Sequence, residues 1–118
     1  MQDFKKIAAW RKAHALLLNV HRAIRSYPRD YMTLRSQTRR AAESIPTNIV
    51  EGGAFDSAKQ FGAYLQHSIA SSSKLEYHLR AARDYDVLPE RRWELLTRDT
   101  VEVRKMVTVF RKRVLGLE

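Results

Sequence analysis

Residues 39–52, Arg-Arg-Ala-Ala-Glu-Ser-Ile-Pro-Thr-Asn-Ile-Val-Glu-Gly, hold the densest set of side chains able to do chemistry. Arg39, Arg40, Glu43 and Glu51 are its charged members. Arg39 and Glu43 stand i,i+4, an ion pair worth about 0.2–0.5 kcal/mol on an exposed helix face. Glu51 falls near a helix C-terminus, where the macrodipole disfavours a carboxylate, so a compensating arginine is expected. Structural pairing of Glu51 with Arg39 or Arg40, and a ligand site built from the same groups, are the two readings. A catalytic carboxylate is not expected, because no second carboxylate or base stands at a spacing suited to proton transfer. Asn48 follows Pro46 by two, and its amide is expected to satisfy a carbonyl freed by the proline.

The remaining reactive types form no constellation. His14, His21, His67 and His78 lack the HExxH pattern and the Glu-x-x-His pairs of di-iron bundles, so no metal site is expected. Ser71-Ser72-Ser73-Lys74 formally contains S-x-x-K, but three serines satisfy it cheaply and the partner motifs of acyl-enzymes are missing. Close helix packing explains these serines better. Gly52-Gly53 lacks both the Walker lysine and the dinucleotide-binding spacing. The expectation is a chain with no cofactor and no enzymatic activity.

Cations are the one abundant chemical resource. Lys plus Arg number 22 against 13 Asp plus Glu, a net +9 with a pI near 10.3. Residues 1–29 carry seven basic residues and one acidic, so two thirds of the surplus lies there. On a helical wheel Lys5, Arg11, Lys12, Arg22 and Arg25 fall opposite the apolar seam, provided residue 5 is helical. Arg111-Lys112-Arg113 adds a cluster near the C-terminus. Cations along one surface release counterions when they meet a phosphate backbone. The partner expected is therefore nucleic acid, RNA first, bound by phosphate contacts; an acidic protein is the alternative, with the chain as a scaffold. A solvated face with no partner is the plain reading of the same charges.

Helices must position these groups. Glycine and proline number four and three, which leaves long stretches without a chain breaker. Breaks at Tyr27-Pro28-Arg29-Asp30, Gly52–Asp56 and Asp84–Pro89 divide the chain into helices expected at about 4–26, 31–52, 57–85 and 89–116. Trp10, Ala13, Leu17, Val20, Ile24 and Tyr27 form the first seam, with Ala9, Leu16 and Ala23 beside it. Pro46 lies inside the second helix, where a proline costs about 3 kcal/mol or more, so a kink near it is expected. Asp30 is the expected N-cap of that helix, and Gly52-Gly53 its C-terminal stop. Ser57 with Gln60 resembles a capping box. Phe61, Leu65, Ser68, Ser72, Leu75, Leu79 and Ala82 form the third seam. Trp93, Leu96, Thr100, Val103, Val107, Phe110, Val114 and Leu117 form the fourth. Pro89 suits a first helical turn.

Four seams joined by short connections close most simply as an all-α, antiparallel up-down-up-down four-helix bundle, one domain over residues 1–118. The small interior of the second and third helices predicts a tight crossing between them. The chain has no cysteine, no run of about 20 apolar residues to span a bilayer and no secretory signal, so a cytoplasmic setting without a membrane partner is expected.

The string Arg39-Arg40-Ala41-Ala42, Ser44-Ile45-Pro46-Thr47-Asn48-Ile49-Val50-Glu51-Gly52 resembles the signature of a bacterial family of four-helix-bundle proteins, the 23S ribosomal RNA intervening-sequence proteins. Asp3-Phe4-Lys5-Lys6-Ile7 with Trp10-Arg11-Lys12-Ala13-His14 matches that family's start. Phe61, Leu65, Ser68, Ser72 and Leu75-Glu76 match its third helix. The resemblance implies four-helix bundles that assemble as rings, typically homopentamers. A related branch, the accessory variability protein of diversity-generating retroelements, implies a basic pentamer working beside a reverse transcriptase and nucleic acid. Gly53-Ala54-Phe55-Asp56 departs from the family, many members carrying a basic or serine-rich turn there. That argues against phosphate binding at this turn. The first helix's wide apolar face and the ends of the fourth are expected to make the subunit contacts.

Overall fold

A computed structural model describes residues 3–117. Four helices carry the chain: α1 (Ala8–Ile24), α2 (Met32–Gly53), α3 (Ala58–Asp84) and α4 (Glu90–Leu115). Among the described residues there is no strand. Short connections make successive helices antiparallel. Each packs against two neighbours, α1 on α2 and α4, α3 on α2 and α4, and the diagonal pairs do not meet. The bundle measures 44 × 22 × 20 Å, its long axis matching the length of α3.

The first helix begins later than its periodicity suggests. Asp3 accepts a hydrogen bond from the Lys5 amide at 3.1 Å and caps a 3-10 turn, Phe4–Lys6. Ile7 is then extended and buried, and α1 starts at Ala8. Lys5 is therefore not on the α1 wheel. The α1 core is Ala9, Ala13, Leu16, Val20, Ala23 and Ile24, while Trp10 and Leu17 are only partly covered. The buried stripe thus runs closer to the second line of small residues than to the first. A 3-10 turn, Arg29–Tyr31, precedes α2, so Asp30 does not cap it; Tyr31 holds the cap position without a side-chain bond.

α2 runs unbroken through Pro46, which is buried. The missing amide leaves the Ala42 carbonyl without its usual partner. Asn48 does not reach that carbonyl: its Nδ2 donates instead to the Ser44 carbonyl at 2.8 Å and to Ser44 Oγ at 2.9 Å. One residue on, buried Ser68 of α3 donates to the Ile45 carbonyl at 2.9 Å. Two carbonyls beside the proline are thus drawn to side chains, one from the neighbouring helix. Ser44 and Ser71 add a hydroxyl pair at 2.7 Å across the same interface. Buried Thr38, Ser72 and Thr100 bond to carbonyls of their own helices.

Gly52 serves packing and not a left-handed stop. It lies within α2, and the C-cap, Ala54, keeps ordinary helical angles. A Cβ on Gly52 would sit 2.8 Å from Tyr64 Cβ and 2.9 Å from Phe61 Cδ1. Ser57 caps α3 by accepting from the Gln60 amide at 3.2 Å. All seven residues expected on the α3 seam are buried. Pro89 stands one position before the first turn of α4, as its N-cap. On the fourth seam Leu96, Thr100, Val103 and Val107 are buried, but Leu117 lies beyond the helix and is exposed.

The turn between α3 and α4 is locked from outside. Asp86 takes a left-handed φ of 61°, and the Val87 and Leu88 amides both donate to the Ala82 carbonyl. Arg83 binds Glu90 through two hydrogen bonds, 2.7 and 3.1 Å, and lies 4.6 Å over the Trp93 ring. Hydrogen bonding to Arg83 holds the Glu90 carboxyl below its usual range. The pair's contribution is present above that range and is lost as pH falls through the lowered value.

Gly52→Ala tests the close approach. Alanine is the better helix former by about 1 kcal/mol. Overpacking against Tyr64 and Phe61 is expected to outweigh this, with a net loss of about 1–2 kcal/mol in urea unfolding. An unchanged or more stable variant contradicts the packing role.

Candidate nucleic-acid interface

The eight cations expected to face a phosphate backbone are divided by the fold. Lys5 sits on the N-terminal 3-10 turn, Arg11, Lys12 and Arg22 on α1, and Arg25 at its C-cap. Arg111, Lys112 and Arg113 lie in the last turns of α4. The start of α1 and the end of α4 line one groove, so Lys5, Arg11 and the α4 cluster share one end of the bundle. Arg22 and Arg25 lie towards the other end; at 1.5 Å of rise per residue, Arg11 and Arg22 are about 16 Å apart along α1.

Arg11, Arg22 and Arg25 share one exposed line of α1, with Ala15 and Leu18 between them. None has an ion pair among the described residues. Arg11 donates to the Lys5 carbonyl at 3.0 Å and Arg22 to Asn19 Oδ1 at 3.0 Å, bonds to neutral groups that leave the charge uncompensated. Lys12 turns towards α4 and pairs with Glu102 at 3.0 Å. Its expected place among the outward cations is therefore corrected: a carboxylate already neutralises it. Arg111 is half-buried and donates through Nε to the Gly62 carbonyl at 3.0 Å, tying α4 to α3. A Cβ on Gly62 would strike Leu115 at 2.7 Å, so backbone and arginine meet where α3 and α4 are closest packed. Lys112 is exposed, and Arg113 borders the groove.

That groove, about 600 Å³, is apolar at its floor, with Ile7, Ala9, Met106, Val109 and Phe110. Lys6, Lys105 and Arg113 stand at its edges. Lys6 and Lys105 stand about a hundred residues apart, each beside a single basic neighbour; only the pairing of α1 with α4 places them together.

The motif residues separate as well. Arg39 pairs with Glu43 at 3.7 Å, both half-exposed, as the i,i+4 spacing predicts. Glu51 is exposed and has no ion pair among the described residues, which corrects the expected arginine partner; solvent stands in for it. Arg40 has no carboxylate partner among the described residues. It opens instead onto a second groove, between α2 and α3, with Lys74 and His78. Burial and the nearby Lys74 lower the His78 pKa below its usual 6.5. A signal for this groove lay in the sequence: Gln37, Arg40, Ser44 and Asn48 step 3-4-4, and Ser71, Lys74 and His78 step 3-4. Among the described residues no three His, Cys, Asp or Glu side chains gather where they could hold a metal ion. No helix of the described residues is long and apolar enough to cross a membrane.

Comparison with known proteins finds a family and a solved structure that the chain resembles. The family described as 23S rRNA-intervening sequence protein matches residues 5–109. A crystal structure titled as a protein with unknown function from the S23 ribosomal protein family, from Bacteroides thetaiotaomicron VPI-5482, superposes with a TM-score of 0.80 at 17% identity. The alignment covers 89% of this chain and 99% of that one, and it shows a shared fold. No curated protein matches the sequence.

Two neighbouring cations of α4 should respond differently to truncation. Arg111→Ala removes the bond to Gly62 and is expected to cost about 1–2 kcal/mol in chemical unfolding. Lys112→Ala, on open surface, should stay within about 0.5 kcal/mol of the parent. Equal losses would remove the distinction between tether and free cation.

Proposed function

Since the chain belongs to the 23S rRNA-intervening sequence protein family, we propose that it is a non-enzymatic basic bundle that binds nucleic acid, RNA in particular, through phosphate contacts. The observation that carries this reading is the line of Arg11, Arg22 and Arg25 on α1. They are three exposed cations with no ion pair among the described residues. They belong to a chain of net +9. Arginines spaced along a helix match phosphates along a strand and carry no base readout, so recognition is weakly dependent on sequence. The family name, with its reference to ribosomal RNA, points the same way.

Assembly belongs to the same reading. The apolar groove between α1 and α4, with half-exposed Val109 at its lip, is the surface on which a second copy of the chain docks in a ring, a pentamer by resemblance. Repeating the α1 arginines around a ring multiplies the phosphate contacts and raises avidity without any new contact.

The test is fluorescence-anisotropy titration of single-stranded RNA at several salt concentrations, with light scattering on the same samples. Affinity should fall with salt, and the log–log slope should shrink by about 0.7 for each of Arg11, Arg22 and Arg25 replaced by Gln. Lys12→Gln, already paired in the parent, should change the slope least. The protein should scatter as a closed oligomer. Affinity indifferent to salt, or no binding at low salt, overturns the nucleic-acid reading; a monomer at micromolar concentration overturns the ring.

A further inference from the structure

The groove between α2 and α3 is chemically unlike the rest of the surface. It encloses about 440 Å³ and is lined by Gln37, Arg40 and Ser44 from α2 and by Ser71, Lys74 and His78 from α3. No carboxylate lines it. Arg40 and Lys74 have no ion pair among the described residues, whereas Lys12, Arg39, Arg80, Arg83, Arg98 and Arg104 all do.

The hydroxyls are also committed in a telling way. Asn48 Nδ2 donates to Ser44 Oγ at 2.9 Å, and Ser44 Oγ shares one hydrogen with Ser71 Oγ at 2.7 Å. Two hydroxyls bring two hydrogens and this contact uses one. Whichever serine donates, one O–H is left without a hydrogen bond among the described residues. Two exposed cations, an imidazole, an amide and a spare hydroxyl make a set rich in donors. Carboxylates, which would repel an anion, are missing from it.

We infer that the α2–α3 groove is a seat for one phosphate group, with Arg40 and Lys74 as its charge clamp, and with His78 and whichever of Ser44 and Ser71 keeps its O–H as hydrogen-bond donors. The charge count favours a monoester over a diester. A monoester carries about −1.5 to −2 at neutral pH, which two full cations balance, and it offers three acceptor oxygens. Arginine's planar fork suits two of those oxygens at once. Burial first, and then the Lys74 charge, disfavours the His78 cation. The charged groups sharing the groove with it are Lys74 on its own helix and Arg40 across on α2, both cations, and a bound dianion would oppose the effect of Lys74 on its titration. The seat uses none of the α1 arginines, so it stands or fails apart from the RNA reading. The phosphate is either a free inorganic ion, of similar charge, or the 5′-terminal monoester of an RNA chain.

The probes are inorganic phosphate and a short RNA with either a 5′-phosphate or a 5′-hydroxyl. Histidine ring resonances of the full chain are followed by NMR against pH. Phosphate should saturably move the His78 titration to higher pH, where chloride at equal ionic strength does not. Arg40→Gln and Lys74→Gln should each weaken that binding about tenfold. Arg39→Gln, whose parent side chain pairs with Glu43 outside the groove, should leave it unchanged. A preference for 5′-phosphate over 5′-hydroxyl RNA supports the seat with a chain end as source. Equal binding of the two RNAs, with the phosphate response kept, supports it with the free ion as source. A phosphate response that survives both groove variants, or that chloride reproduces, overturns the seat. Because the RNA arm can be repeated with Arg11, Arg22 and Arg25 all replaced by Gln, loss of the general RNA affinity is separable from loss of the seat.

Discussion

The close contact between α2 and α3 is the constraint on which the rest of the molecule depends. Gly52 admits the α3 backbone where a single methyl group would collide with Tyr64 and Phe61. Small residues, Ala41, Ser44, Ser68 and Ser72, keep the two axes near each other along the crossing. At that distance the hydroxyls reach across, Ser68 to the Ile45 carbonyl and Ser44 to Ser71. The same approach holds a proline inside an unbroken helix, because packing and hydrogen bonds on both sides offset the lost backbone bond. Larger side chains at these positions would part the helices, remove the interhelical bonds and leave Pro46 in a segment with nothing to stabilise it.

That contact also decides where charge goes. With α2 pressed on α3, and α3 on α4, the α1–α4 side is left with an apolar groove rimmed by Lys6, Lys105 and Arg113. Arg40 and Lys74, on facing edges of the α2–α3 seam, become neighbours. The bundle therefore presents basic groups on two opposite sides with different surroundings: a line of arginines on open helix surface and a recessed polar groove. Arg111 and Lys12 show the limit of counting charges. Each looks like surface in the sequence, yet one anchors α4 to α3 and the other closes an ion pair with Glu102.

Much of the architecture was legible from periodicity. The α3 seam is buried in full, and α4 is covered from Leu96 to Val107, because both are long helices whose stripes face two neighbours. Ends were less legible. Asp3 bonds locally to Lys5 and diverts the chain into a 3-10 turn, a choice that apolar spacing does not record. Gly52-Gly53 has the composition of a helix stop, but its glycines remain helical, since what they supply is absence of bulk. Asn48 bonds to Ser44 and not to the carbonyl that Pro46 frees, because its target depends on side-chain reach that numbering alone does not give. The basic surface was legible as composition and only in part as geometry. The α2–α3 groove needed the register of two helices, which is fixed by packing.

Native-state hydrogen exchange of the full chain tests the central claim most directly. If α2 and α3 are clamped around Pro46, the amides of residues 47–53 and 61–72 exchange only through global unfolding, with protection matching the stability from denaturant titration. The N-terminal turn and the Asp84–Pro89 connection should exchange through smaller openings. Local exchange around Pro46 at a free energy well below the global value would contradict the account.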